Sequence, residues 1–308
     1  MQPPLDGPGK PAGNDGGVRS LRTRLQEARR RLGIPWDVLE RDYLLSWLLA
    51  GISQTPMLRD TLVFKGGTAL RKYYFGDYRF SEDLDFSGLA GVPTGEEMER
   101  LVSETCELAV RLLDEHAPVD ITCERYTERE PHPGGQEAFN IRARFPWQSR
   151  PQTRVMIEVT MDERVVLSAE RRQVIHDYGE PLNADVKVYR LEEIVAEKLR
   201  ALLQQAQMFE LRGWSRSRAR DYYDLWRVLG AYRNQMDLRD FDALLHKKCA
   251  VRGVAFAGPE DFFHEEMLAY VEETWEQWLG PLVPGLPPFE TVIDGLRPQI
   301  DTLVSSDR

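Results

Sequence analysis

The chain has 308 residues, which is enough for one large domain or two smaller ones, and its formal net charge at pH 7 is −10. This acidic balance excludes a protein that coats nucleic acid through its overall charge, so a nucleic-acid contact would need a local cluster of basic residues. Three widely spaced cysteines exclude a disulfide framework and a zinc site, and no signal peptide or membrane-spanning run is recognisable, so we expect a protein of the reducing cytoplasm.

The first part of the chain predicts a disordered tail followed by two helices. Residues 1–16 are rich in proline and glycine, which favours disorder. Residues 18–32 predict an arginine-rich helix that ends at Gly33. Its basic face is either simply solvated or a contact for RNA phosphates, and the sequence leaves both interpretations open. Residues 36–52 predict a more apolar helix that belongs to the core.

Residues 61–72 predict a strand, a glycine turn and a helix. The apolar run at 61–64 favours a buried strand. Gly66 and Gly67 follow it, and glycine allows a ligand to approach the main chain closely. Thr68 is expected to cap a helix whose free N–H groups point at the turn, an arrangement that suits a phosphate group.

Two carboxylates follow at Asp83 and Asp85, with one apolar residue between them. On a strand this spacing places both carboxylates on one face and Leu84 and Phe86 on the other. Carboxylates this close repel each other unless a hard cation such as Mg²⁺ lies between them. A Gly-Gly-Thr turn and an Asp-x-Asp pair are each common, so it is their combination that points to a site.

The middle of the chain predicts one amphipathic helix and three strands. The predicted helix covers residues 94–116, and the strands cover residues 120–126, 138–145 and 154–160. In the last strand Val155, Ile157 and Val159 share one face, while Glu158 lies on the other. From its position alone, Glu158 is either an exposed surface residue or part of a site.

The second half of the chain predicts helices. A helix at 191–207 carries Lys198 in its middle, and a helix after a break at Gly213 carries Asp221 and Asp224. The two aspartates are spaced i, i+3, so they share a helix face, where they either stabilise the helix with local arginines or take part in a site. From residue 238 onwards the pattern predicts aromatic-rich helices without recognisable chemistry, the last of them near 289–303.

Four segments of the chain together resemble one protein family: residues 64–72, 79–86, 191–202 and 218–225. They resemble the AbiEii/AbiGii (MenT-like) nucleotidyltransferase toxins of bacterial toxin–antitoxin systems, within the polymerase-β-like nucleotidyltransferases. Thr68 replaces a serine of the minimal superfamily pattern, and the gap before Asp83 is longer, but the toxin family tolerates both. The resemblance implies an α+β fold, with a small mixed sheet and flanking helices followed by a helical C-terminal lobe. The expected boundaries are a tail at 1–16, a nucleotidyltransferase domain at 17–186 and the helical lobe at 187–308.

The resemblance also implies the roles of individual residues. Asp83 and Asp85 would hold two Mg²⁺ ions together with Glu158, because the fold places a third acidic residue on a strand beside the pair. The implied catalytic residues are Asp83, Asp85, Glu158, Lys198 and Asp221, the last of which would orient Lys198 or an arginine. The implied NTP-binding residues are Gly66, Gly67, Thr68 and Lys198. The arginines available for RNA phosphates are Arg142, Arg144, Arg212, Arg216, Arg218 and Arg220.

The resemblance implies that the acceptor is RNA, above all the 3′ end of tRNA, and that the transfer blocks translation. It also implies a cognate antitoxin that neutralises the protein, and a role in phage defence. Ser81 lies two residues before Asp83 and either forms a local hydrogen bond or is a control point, because phosphorylation there adds charge that competes with the triphosphate for Mg²⁺. Two rivals remain from the sequence alone. A small-molecule nucleotidyltransferase of the antibiotic-modifying type would share every catalytic residue, whereas a non-enzymatic regulator would be expected to have lost one of them.

Overall fold

The structure, a computed structural model, describes residues 19–127, 136–212 and 217–304. The predicted tail at 1–16 and the predicted RNA contact at Arg216 lie outside these ranges. Within them, no helix is both long enough and apolar enough to cross a membrane.

Helices and strands are mixed in the described chain up to Val188, and the elements after it are helices. The elements up to the middle of the chain are α1 (Leu21–Leu32), α2 (Trp36–Gln54), α3 (Pro56–Thr61), β1 (Leu62–Lys65), α4 (Gly66–Ala69) with a π-helical turn (Leu70–Tyr74), β2 (Leu84–Gly88), α5 (Gly95–Asp114), β3 (Asp120–Arg125), β4 (Gln136–Arg144) and β5 (Thr153–Thr160). The later elements are β6 (Glu170–Gln173), β7 (Asp185–Val188), α6 (Leu191–Arg212), α7 (Ala219–Ala231), α8 (Phe241–Val251), α9 (Glu265–Glu273), α10 (Trp275–Leu279) and α11 (Phe289–Val304).

The strands in the described ranges form one seven-stranded mixed sheet in the order β3-β4-β5-β2-β1-β7-β6. The central strand β2 pairs antiparallel with β1 and parallel with β5, while β1 pairs parallel with β7. This register places Lys65 opposite Asp85, and Asp85 opposite Glu158, so one charged residue from each of three adjacent strands lies at the same level of the sheet. The strand pairing therefore brings together residues that are far apart in sequence.

The core lies between the sheet and the helices packed on it. Leu84 and Phe86 are buried on the opposite side of β2 from the carboxylates, as the alternation predicts, and the rings of Phe64 and Phe86 lie 4.9 Å apart. Helix α2, which is buried along most of its length, packs against α5 and the sheet. Helices α6, α7, α8 and α11 pack on one another to form the helical C-terminal part. The predicted fold class is confirmed.

The structure differs from the predicted elements in three places. The helix after the glycine turn begins at Gly66, so Thr68 lies inside it and does not cap it. Strands β6 and β7 were not predicted, because each has four residues and neither stands out as an apolar run. The predicted domain boundary at 186/187 falls inside β7, which continues to Val188 in the sheet.

Candidate active site

Lys65, Asp85 and Glu158 form a row of charged residues across the sheet beside the glycine turn. Burial, Glu158 and Asp83 raise the pKa of Asp85 to about 7, while Lys65 and Lys198 act in the opposite direction. Burial is the largest cause of this shift, and repulsion by the two neighbouring carboxylates adds to it. Perturbed carboxylates of this kind are characteristic of functional sites.

Asp83 is fixed at the end of the sheet by the strands around it. Its Oδ1 accepts a hydrogen bond from the Met156 N–H at 3.0 Å, and burial raises the pKa of its carboxyl group. Its carbonyl oxygen accepts a hydrogen bond from the Thr68 hydroxyl at 2.5 Å. Thr68 is almost fully buried, so its hydroxyl ties the helix after the glycine turn to the aspartate pair. Thr68 therefore has this structural role and not that of the predicted helix cap.

The three acidic side chains do not converge on a single point. Among residues 19–127, 136–212 and 217–304, no three acidic, histidine or cysteine side chains are already gathered as a metal-binding group. The donor set nevertheless suits Mg²⁺, because Asp83, Asp85 and Glu158 offer hard oxygen atoms on two neighbouring strands. Burial contributes most to the raised pKa of Asp85, and Glu158 and Asp83 add to it, so a bound cation would stabilise the ionised carboxylate.

The glycine turn has to consist of glycines because of its close neighbours. Gly66 has a φ of 78°, and a Cβ there would lie 2.6 Å from Asp85 Oδ2. A Cβ at Gly67 would lie 2.5 Å from an Arg79 guanidinium nitrogen and 3.3 Å from Ser81 Oγ. The first N–H groups of the helix have no partner within the helix and are therefore available to an anion beside the aspartate pair.

The segment after the turn is anchored to α2 by buried charges. Asp42 of α2 accepts hydrogen bonds from Arg71 Nε and Lys72 Nζ, both at 2.7 Å. Burial acts to raise the pKa of Asp42, but the two cations lower it to well below its usual value. The glycine turn is thus held between the sheet on one side and α2 on the other.

Lys198 and Asp221 meet, and Asp221 also pairs with Arg218, so both partners that the resemblance left open for Asp221 are in contact with it. Lys198 Nζ lies 2.8 Å from Asp221 Oδ1 and 2.8 Å from Asp224 Oδ2, and its side chain is mostly buried. Burial acts to raise the pKa of Asp221, but Lys198 and Arg218 lower it to about 2, so Asp221 is ionised at neutral pH. The ammonium group is held in one place and cannot swing freely into solvent.

The contact between Arg79 and Asp224 was missed by the sequence interpretation. Arg79 donates from Nε and Nη2 to the two oxygens of Asp224, both at 2.6 Å, and both residues are buried. Asp224 thus joins Arg79, which lies beneath Gly67, to Lys198 on α6. Arg79 stands in the recognised motif, but nothing local in the sequence indicates a partner 145 residues away.

A cavity of about 170 Å³ lies where these elements meet. Its lining includes Lys65, Gly66, Asp85, Lys198, Arg218 and Asp221. A larger cavity of about 400 Å³ lies on the other side of the Gly66–Tyr74 segment, near α1, and its lining lacks the catalytic candidates. The smaller cavity is therefore the candidate active site. Lys65 was not singled out from the sequence, although it directly precedes the glycines; its ammonium group lies 3.6 Å from Glu197.

The predicted RNA-binding arginines are spread over several surfaces. Arg142 and Arg144 are exposed on β4, where Arg144 pairs with Asp120. Arg218 pairs with Asp221, and Arg220 pairs with Glu82, the residue before Asp83. Arg212 is exposed at the end of α6. The structure thus places Arg218 and Arg220 beside the candidate site and the β4 arginines on the sheet.

The arginine-rich face of α1 is partly structural. Arg24 is buried and donates to the carbonyl oxygen of Tyr178 at 2.6 Å. Arg19 pairs with Glu27, and Arg31 pairs with Asp177. These contacts agree with the interpretation of α1 as a packed helix with a solvated basic face.

Comparison with known proteins agrees with the motifs. The model of the family described as "Nucleotidyl transferase AbiEii toxin, Type IV TA system" matches residues 47–304. Among solved structures, MenT4, a nucleotidyltransferase toxin from Mycobacterium tuberculosis H37Rv, is similar with a TM-score of 0.65 and 20% sequence identity, over 94% of this chain and 91% of that chain. At this identity the likeness concerns the fold. No curated protein matches the chain.

Proposed function

Because the chain belongs to the AbiEii family of nucleotidyltransferase toxins, we propose that it transfers a nucleoside monophosphate from an NTP to the 3′ end of tRNA and thereby blocks translation. Its family implies a cognate antitoxin, and we place its action in the bacterial cytoplasm, in phage defence. The observation that supports this best is the row Lys65–Asp85–Glu158, in which Lys65 and Asp85 line one cavity together with Lys198. In a cell-free translation reaction the protein should stop synthesis when NTP is present, and an inactive site variant should not.

The residues divide the reaction between them. The 3′-hydroxyl oxygen of the acceptor attacks the α-phosphorus, the bond from that phosphorus to the bridging oxygen breaks, pyrophosphate leaves, and the hydroxyl proton passes to solvent water. Asp83, Asp85 and Glu158 would hold two Mg²⁺ ions, which, when bound, lower the pKa of the attacking hydroxyl and neutralise charge on the triphosphate. The active site would lie between the nucleotidyltransferase domain and the helical lobe.

The glycine turn and Lys198 would bind the triphosphate. The N–H groups of Gly66, Gly67 and Thr68 are donors at the start of a helix, next to the aspartate pair. The Thr68 hydroxyl already donates to the carbonyl oxygen of Asp83, so Thr68 would bind the triphosphate through its backbone N–H. Asp221 and Asp224 hold the Lys198 ammonium group at the cavity, where it adds positive charge.

Replacing Lys198 with alanine should weaken nucleotide use and spare RNA binding. We expect kcat/KM for the NTP to fall by about 100-fold, because a fixed charge that stabilises the transition state is lost. Steady-state kinetics with varied NTP gives this value, and a filter-binding assay gives the affinity for RNA. Lys247→Ala, at an exposed position of α8, is the matched control and should behave like the parent protein. Parental kinetics in Lys198→Ala would mean that this lysine does not contact the nucleotide.

We also propose that Ser81 is a regulatory position. It is partly exposed, and its Oγ lies close to Gly67, at the start of the proposed triphosphate site. A phosphate group on Ser81 would repel the triphosphate, because it adds about −1.5 to −2 charges. We expect Ser81→Glu to lose at least about 10-fold in transfer rate and Ser81→Ala to retain it, since one added charge at such a site is worth roughly 1–2 kcal/mol. Equal transfer by the two variants would show that Ser81 is not a control point.

A further inference from the structure

One exposed aromatic side chain lies beside the candidate active site. Of the four large apolar side chains that are exposed in residues 19–127, 136–212 and 217–304, Trp278 is the aromatic one, with 41% of its surface accessible. Trp275, one turn earlier in α10, is buried and donates from Nε1 to the carbonyl oxygen of Pro287 at 2.9 Å. Helix α10 is therefore anchored by one tryptophan and presents the other to solvent.

Helix α10 is held against the segments that carry the catalytic candidates. At its start, the Thr274 hydroxyl donates to Ser217 Oγ at 2.7 Å, just before α7. Beyond its end, the carbonyl oxygen of Leu282 accepts a hydrogen bond from the Phe80 N–H at 3.1 Å, in the segment that leads to Asp83. These two contacts fix the position of Trp278 relative to the site.

A single arginine connects the Trp278 ring with the aspartate pair. The guanidinium group of Arg220 lies 5.4 Å from the centre of the ring, and its Nη2 donates to Glu82 Oε2 at 2.5 Å. Glu82 immediately precedes Asp83, and Arg220 acts to lower the pKa of the Asp83 carboxyl group, which burial raises. Arg41 of α2 pairs with Glu82 from the other side. Two guanidinium groups thus pair with the residue before Asp83, and the Trp278 ring lies against one of them.

We propose that Trp278 is a binding platform for the RNA acceptor, on which an unpaired base near the 3′ end stacks while Arg220 lies beside the adjoining phosphate. Proteins bind single-stranded RNA through exposed aromatic rings next to cations, because every base has a face that can stack and every linkage has a charge to neutralise. An exposed tryptophan also suits a protein partner. Arg220 links the Trp278 ring to Glu82, the residue before Asp83, and this position favours RNA, because the acceptor hydroxyl has to arrive at the Asp83 carboxylate. The inference rests on the proposed transfer to RNA.

The test measures transfer to an RNA hairpin that ends in a short single-stranded 3′ tail. Trp278→Ala should raise KM for this RNA by about 5-fold to 100-fold, the value of one stacked base, and leave KM for the NTP unchanged. Trp278→Tyr keeps an aromatic ring and should retain most of the affinity, whereas Trp278→Leu keeps the apolar packing and should not. Met57→Ala, an exposed apolar position on α3, is the control and should match the parent. Thermal unfolding of each variant shows whether α10 stays folded.

A second probe, the same hairpin with its terminal base removed, identifies the stacking partner. If the terminal base stacks on Trp278, the parent should use the abasic probe as poorly as Trp278→Ala uses the intact one, and the two losses should not add. An unchanged KM in Trp278→Ala, or a protein ligand whose binding alone depends on Trp278, would overturn the inference. A failure of the proposed function would be a different result, because the parent protein itself would then transfer no nucleotide to RNA.

Discussion

Asp85→Asn should abolish nucleotide transfer and leave the fold intact, and Asp83→Asn should do the same. Asparagine keeps the shape of the side chain and, at position 83, still accepts the hydrogen bond from the Met156 N–H. What it removes is the negative charge that a metal ion needs, so we expect transfer to fall by at least about 1000-fold. Transfer is measured with saturating NTP and RNA. Asp114→Asn, an exposed carboxylate at the end of α5, serves as the control.

Without metal, Asp85→Asn should also be more stable than the parent protein above pH 7. Burial, Glu158 and Asp83 raise the pKa of Asp85 to about 7, above its ordinary value of 3.8. Between these two pH values Asp85 is ionised in the unfolded state and still largely protonated in the folded state. The free energy of unfolding therefore falls as the pH rises through this range. Asp85→Asn lacks this loss, so the difference in the free energy of unfolding between the variant and the parent should grow up to about pH 7 and then level off. A urea titration with chelator at several pH values measures it. A folded Asp83 or Asp85 variant that still transfers nucleotides would refute the site.

The largest loss of stability is expected from Asp224→Ala. This substitution leaves Arg79 buried without its carboxylate and leaves Lys198 with Asp221 alone. Breaking a buried ion pair by removing one partner costs about 3–5 kcal/mol, because the remaining charge is neither paired nor hydrated. We therefore expect the free energy of unfolding to fall by about that amount, as measured by urea denaturation. Transfer should fall as well in the folded fraction, because Asp224 positions Lys198.

The control for Asp224→Ala is Asp237→Ala, which breaks an ion pair with Arg239 at the surface. Exposed pairs contribute about 1 kcal/mol or less, so this variant should unfold close to the parent. If Asp224→Ala and Asp237→Ala unfolded at the same urea concentration, the contact between Arg79 and Asp224 would not stabilise the structure.

The sequence predicted the elements whose signal is local. Periodicity gave α5 and α11 nearly to the residue, and alternation in β5 placed Glu158 on the correct face, where the strand register brings it opposite Asp85. The pairing of Lys198 with Asp221 was anticipated as one alternative by resemblance. In all these cases the side chain's role follows from its position in one element or in one recognised motif.

The sequence did not reveal contacts between distant segments. The Arg79–Asp224 pair, the use of the Thr68 hydroxyl by Asp83, and the position of Trp278 beside Arg220 all depend on how the helices pack on the sheet. Hydrophobic periodicity within one element carries no information about such contacts between elements. Short strands such as β6 were missed for the same reason, since the neighbouring strand stabilises them more than their own composition does.

The most direct test of the proposed function follows the α-phosphate of the NTP. The protein is incubated with each NTP, labelled at either the α- or the γ-phosphate, and with total tRNA, whose 3′ ends are intact or destroyed by periodate. We expect the α-label on intact tRNA only, the γ-label in released pyrophosphate, and no labelled RNA with Asp85→Asn. Absence of α-label from tRNA with every NTP, or equal labelling by Asp85→Asn, would contradict the proposal.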